Sequence, residues 1–212
     1  MTSIEDRFKR TVAGHDMTIV HEDGLHRHLT FMRPGTYNNH FHISTWPGYL
    51  AISGDIGTYV FARLPDMFKF FRGEGINPQY WAEKLQAVDR HGAVKEFSEK
   101  RWRAAIKSDF GQWTFENNRQ KAEAWRELQR SGLANDRDPE SLENALRRVA
   151  AYQCPVTKNR FNDFWDHDLQ DYTFRFLWCC HAIRWAIAEY DRRSGFPHKQ
   201  DLEGAPIGAA TP

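Results

Sequence analysis

The sequence predicts an α+β fold: an N-terminal antiparallel β-sheet meander packed against a mainly helical C-terminal half. Three observations predict it. Five short segments between residues 17 and 63 alternate apolar and polar side chains with period 2. Turn-forming residues occupy every break between them, and from Leu64 nearly to the end the apolar spacing becomes helical.

Taken in order, Ile4, Phe8 and Val12 lie at helical spacing, so a short amphipathic helix is expected over residues 3–13. Strands are expected over 17–22, 25–32, 39–46, 49–54 and 58–63. They are separated by Asp23-Gly24, the 33–38 loop, Pro47-Gly48 and Gly54-Asp55-Ile56-Gly57. Links this short favour an antiparallel meander, so a four- or five-stranded sheet is expected within residues 15–63, backed by helices from the second half. Leu64, Met67, Phe68 and Phe71 form the stripe of a helix that could cover one sheet face.

Beyond it, Asn77-Pro78 has the chemistry of a helix start ahead of Trp81, Leu85 and Val88, and Ser98 stands before Trp102, Ala105 and Ile106. Asp138-Pro139 opens a further segment with Leu142, Leu146 and Val149 on one side. The stretch from Asp171 to Arg193 is apolar nearly all round between Phe174 and Ile187, which marks a central core helix, and Ser194-Gly195 with Pro197 stops it. In domain terms, residues 1–72 hold the first helix, the sheet and its covering helix. Residues 73–200 form a helical region in one continuous core with the sheet, and 201–212 are a flexible tail. Gly73-Glu74-Gly75 is the foremost boundary candidate, with 131–139 second.

Composition narrows the function classes. With 41% apolar and 27% charged residues, disorder is excluded for most of the 212-residue chain. Aromatic residues reach 14%, with eight Trp, enough for a thick aromatic core or for an exposed recognition surface. The net charge of +1 supplies no global attraction to nucleic acid or anionic lipid. No apolar run spans a membrane and the first residues lack signal-peptide character, so a cytoplasmic protein without membrane contact is expected. Cys154, Cys179 and Cys180 are odd in number, and the last two are adjacent in a helical stretch, which suits reduced, buried thiols.

The richest chemistry lies between His26 and Trp46. A turn centred near Gly35 would set His28 opposite His42, Thr30 near His40 and His26 near Ser44, gathering imidazoles and hydroxyls on one face. A catalytic zinc would take three of His26, His28, His40 and His42, but no carboxylate stands by to orient the rings, and neither a metal nor another cofactor is expected. His28-Leu29-Thr30 and His42-Ile43-Ser44 both read His-x-Thr/Ser, which resembles the paired motif of two-histidine phosphoesterases. That family draws its motifs from two pseudo-symmetric halves, whereas here they sit on neighbouring strands. The resemblance implies a histidine-dependent phosphoester or nucleotide hydrolase with His28, Thr30, His42 and Ser44 as its catalytic residues.

Other constellations are weaker. Residues 95–130 carry nine basic and six acidic side chains interleaved with Trp102, Trp113, Phe115 and Trp125. A weak nucleic-acid surface there would use Arg101, Arg103, Lys107, Arg119 and Arg126, although the same aromatics fit helical core spacing. Gly54-Asp55-Ile56-Gly57-Thr58 lacks both phosphate-loop signatures and reads as a hairpin turn. In Trp165-Asp166-His167-Asp168 neighbouring side chains diverge by about 100° on a helix, and Cys179-Cys180-His181 lacks helical ligand spacing.

The run from His42 through Trp46-Pro47-Gly48-Tyr49 and Gly54-Asp55-Ile56-Gly57-Thr58 to Phe61, then Asp66-Met67-Phe68, Phe70-Phe71 and Tyr80-Trp81-Ala82-Glu83-Lys84-Leu85, resembles a family of small uncharacterised accessory proteins of bacteriophages and prophages. The resemblance spans roughly residues 5–105 and implies a protein made in the host cytoplasm during infection. By analogy with anti-CRISPR proteins, it implies an anti-defence inhibitor that binds a host protein or defence complex, rather than an enzyme.

Overall fold

The computed structural model describes residues 3–134 and 139–195, which divide into two compact units. One runs to Val94 and resumes at Tyr172; the other is Lys95–Asp171. Gly73, Glu74 and Gly75 lie within the first unit. The fold is α+β, an antiparallel sheet at the front of the chain followed by a largely helical second half.

The first unit begins with α1 (Ile4–Val12), capped by Ser3 in a reciprocal box with Asp6. β1 (Asp16–Asp23), β2 (His26–Met32), β3 (Phe41–Trp46), β4 (Tyr49–Gly54) and β5 (Tyr59–Ala62) follow as a meander. Pro47-Gly48 closes the β3–β4 hairpin, with Gly48 at φ 87°, a conformation glycine adopts without a side-chain penalty. α2 (Met67–Phe71) and α3 (Pro78–Ala82) come next, and β6 (Leu85–Ala87) adds a sixth strand beside β5. α7 (Phe174–Ser194) completes the unit.

The burial pattern explains this arrangement. Along β3 every second residue is buried, and the same alternation runs through β4 and β5. Leu29, Phe31, Phe41, Ile43, Leu50, Ile52, Tyr59 and Phe61 join the buried residues of α7 in one core. Phe31 stacks on Phe41 at 4.6 Å between ring centroids, and Trp178 and Trp185 of α7 meet these rings edge-on or tilted.

Several sequence expectations need correction. Leu64 is left outside α2, whose first turn starts after the Asp66 cap. α3 ends at Ala82 because the chain must turn back to the sheet: Ala62 N–H donates to the Lys84 carbonyl, Leu85 enters β6 and Val88 is exposed. Period-3.6 spacing of Trp81, Leu85 and Val88 therefore did not denote one helix.

The register between β2 and β3 is also shifted. His28 pairs with Ser44 and Thr30 with His42, two residues from the expected partners. The connection holds two successive turns, closed by Thr36 N–H to the Arg33 carbonyl and His40 N–H to the Tyr37 carbonyl, so His40 stays in the loop. Moving the turn centre by one residue moves the antiparallel pairing by two, which leaves every side chain on its expected face.

The second unit carries β7 (Lys95–Phe97), α4 (Glu99–Gln112), α5 (Asn118–Arg130) and α6 (Leu142–Ala150), with β8 (Gln170–Tyr172) pairing with β7. Ser141, not the Asp138-Pro139 pair, caps α6, and Asp138 lies outside the described residues, as does the tail over 201–212. Trp102, Ile106, Phe110, Leu128, Val149 and Phe164 are among its core residues, so the aromatic Trp102 is structural. Cys154, Cys179 and Cys180 are buried free thiols, in keeping with the expectation from their number.

Candidate functional site

One face of the sheet is covered by the core; the opposite face is not. From β2 to β6 this second face presents His26, His28, Thr30 and Met32, then His42, Ser44 and Trp46, then Tyr49, Ala51 and Ser53, then Val60, Ala62 and Ala87. None of these is Lys, Arg, Asp or Glu, in a chain that is 27% charged. An open antiparallel face is ordinarily where polar and charged residues collect. A surface depleted of charge and holding aromatic side chains has instead the composition of an interface centre.

Two clusters stand on a floor of small side chains. At one end Trp46 and Tyr49 flank the Pro47-Gly48 turn, stacked at 5.2 Å and 14° between planes, each 38% exposed. Beside them lie the small residues Ala62, the partner of Tyr49, and Ala51, the partner of Ser44. At the other end His28 and His42 stack at 5.7 Å and 8°, and His40 meets His42 edge-on at 5.3 Å.

His28 Nδ1 and Ser44 Oγ share a hydrogen bond of 2.8 Å. His40 Nδ1 donates to the Tyr37 carbonyl at 2.7 Å and lies 3.3 Å from Asp55 Oδ1, while the other Asp55 oxygen accepts from Asn39 N–H. Gly54 makes this approach possible: a Cβ there would sit 2.3 Å from the His40 carbonyl oxygen. His42 Nδ1 is buried without a hydrogen-bond partner. Burial, then the neighbouring His40 and His28 rings, hold the His42 imidazole below its ordinary proton affinity.

The histidine face expected from the sequence is thus present, with its register shifted. His28, Thr30, His42 and Ser44 share it, His26 lies at its margin, and His40 reaches it from the loop. Among the described residues, no group of three or more His, Cys, Asp and Glu side chains is placed to hold a metal ion.

Two contributors escaped the sequence reading. His21 faces His28 because a bulge between Ile19 and His21 resets the alternation of β1. The Trp46–Tyr49 pair was legible in principle, since a two-residue hairpin sets its flanking residues side by side on one face.

The basic residues of the second unit are partly engaged. Arg101 is paired with Asp171 at 2.6 Å and with Asp168 at 3.4 Å, and Arg126 donates to the Ala122 carbonyl within its own helix. Arg103 and Lys107 line a surface groove of about 450 Å³ with Glu99 and Lys100, while Arg119 stands on α5. His167 pairs with Asp109, not with its sequence neighbours, at 2.8 Å. None of the described helices is long and apolar enough to cross a membrane. Comparison with protein-family models, curated proteins and solved structures finds no match for the chain.

Proposed function

We propose that the protein acts by binding a partner protein through the charge-free face of its sheet. The observation that carries this reading is the absence of Lys, Arg, Asp and Glu from β2 to β6 on that face, together with the exposed Trp46–Tyr49 stack. Aromatic anchors beside a floor of Ala51 and Ala62 suit a partner's apolar side chains, and no charge has to be stripped of water when they dock. The phage resemblance supplies the setting: an accessory protein of the host cytoplasm that binds a host protein, in the manner of an anti-defence, anti-CRISPR-like inhibitor.

The test is a phage challenge of a defence-carrying host that expresses the chain, with partners recovered from the same cells. Wild type and Ser44→Ala are expected to shelter the phage and retain one host protein, whereas Trp46→Ala/Tyr49→Ala loses both. Truncating such anchors costs about 2 kcal/mol or more, roughly thirtyfold in affinity. Sheltering retained by the aromatic double variant would reject the reading.

The His28–Ser44 hydrogen bond favours one other reading, a hydrolase in which His28 takes the proton of the Ser44 hydroxyl and His42 lies alongside as acid. Turnover of bis-p-nitrophenyl phosphate, lowered about a hundredfold or more by Ser44→Ala and by His28→Ala, would support it. Turnover that is absent, or unchanged in both variants, would remove it.

A further inference from the structure

We propose that His28, His40 and His42 form a proton switch on the binding face, holding it uncharged near neutral pH and turning it cationic as the medium acidifies. The inference rests on the reading of this face as the binding surface. His42 is the centre of the device, with the His28 ring stacked on it at 5.7 Å and the His40 ring edge-on to it at 5.3 Å. Its Nδ1 is buried and meets no acceptor among the described residues, so a second proton placed there would find no partner among them.

The surroundings offer little compensation. From β4, Ser53 pairs with His42 and carries no charge; from β2, the residue paired with it is Thr30. The β2–β3 loop brings His40, and Asp55, just beyond β4, lies against His40. On the far side of His28, β1 adds His21 opposite it, with Asp16 paired to Met32 and Asp23 to His26. Among the described residues, the carboxylate in contact with the cluster is that of Asp55, and it serves His40. When His40 takes a proton beside Asp55, His42 next to it faces a cation, and burial acts in the same direction.

A face that docks while uncharged releases its partner when an imidazolium would have to be desolvated beneath it. Binding is therefore expected to weaken about tenfold or more between pH 7.5 and 5.5, each tenfold step being a change of one decade in Kd.

The switch is read on the full chain in two ways. Imidazole C–H resonances followed by NMR from pH 8 to 4.5 should show His42 titrating below the ordinary imidazole range, and His40→Gln should raise its midpoint. His28→Gln is the second variant, expected to raise the midpoint of His42. A His42 midpoint unmoved in both variants overturns the proposal. Nile red, an uncharged apolar dye, probes the face itself. Its binding should weaken about tenfold on acidification in wild type and stay level in His28→Gln/His40→Gln/His42→Gln. Dye binding that Trp46→Ala/Tyr49→Ala abolishes but acid leaves unchanged retains the face and overturns the switch. Dye binding indifferent to the aromatic pair counts against the face, and the NMR midpoints then decide the switch alone.

Discussion

The two faces of the sheet are built from alternate residues of the same strands, yet they obey different rules. On the core face Phe31, Phe41, Ile43, Leu50, Ile52 and Phe61 are buried completely or nearly so against α7, and Arg27 is admitted with its charge answered by Asp66 at 3.0 Å and its guanidinium over the Phe68 ring. From β2 to β6 the open face has no such packing and still excludes charge, which enters only on β1 with Asp16 and Asp23. Burial explains the first composition. It does not explain the second, because Lys or Glu at positions 44, 51 or 62 would cost the fold little. Residues withheld from a surface where folding would tolerate them point to a demand made by something other than folding.

The largest expected effect sharpens this contrast on the core side. Phe31→Ala removes a fully buried ring from between Phe41 and Trp185 and should destabilise the protein by about 3–5 kcal/mol in denaturant unfolding. Trp46→Ala, a still larger truncation on the open face of the neighbouring strand, should cost no more than about 1 kcal/mol, chiefly the lost stacking on Tyr49. Equal losses in the two variants would erase the distinction between the faces.

Next comes Gly54, where the faces meet the histidine loop. Gly54→Ala places a Cβ 2.3 Å from the His40 carbonyl and 2.8 Å from Phe41 Cα, backbone atoms that cannot step aside. It should cost about 1–3 kcal/mol and disturb the His40 resonance, as seen by thermal unfolding and NMR together.

A smaller effect depends on pH. His42 is held below its ordinary proton affinity by burial and by its imidazole neighbours, so the unfolded chain binds its proton more readily than the folded one. Its contribution to stability is complete above the ordinary imidazole value of about 6.5 and is lost as pH falls through the lower folded value. His181, depressed chiefly by burial, contributes with the same sign. Urea unfolding from pH 7.5 to 5 should therefore show stability declining, and His42→Gln should flatten part of that slope. A slope unchanged in the variant would show that His42 titrates as it does in the unfolded chain.

Much of this was legible in the sequence, for physical reasons that also show where legibility ended. Period-2 alternation with turn residues at Asp23-Gly24 and Pro47-Gly48 placed the first five strands and both faces, since alternation and short hairpins are local properties. The Ser98 cap and the apolar run of α7 were equally local. The two-turn loop from Arg33 to His40 was not, because a turn centre moved by one residue is invisible to pattern and moves every pair by two. β6 was missed since a three-residue strand has too little pattern of its own and is held by the edge of β5. The charge-free face became visible only when β2 to β6 were laid in order, as its members are scattered from His26 to Ala87.

The most direct test of that face is a photocross-linking residue placed at Ala62, beside Tyr49 on the open face, and separately at Ala122, an exposed position on α5 of the second unit. In cells of a defence-carrying host, the residue at position 62 should yield one covalent adduct to a host protein, lost when Trp46 and Tyr49 are also changed to alanine, and the residue at position 122 should yield none. An adduct formed from position 122 and not from position 62 would contradict the assignment of the sheet face as the binding surface.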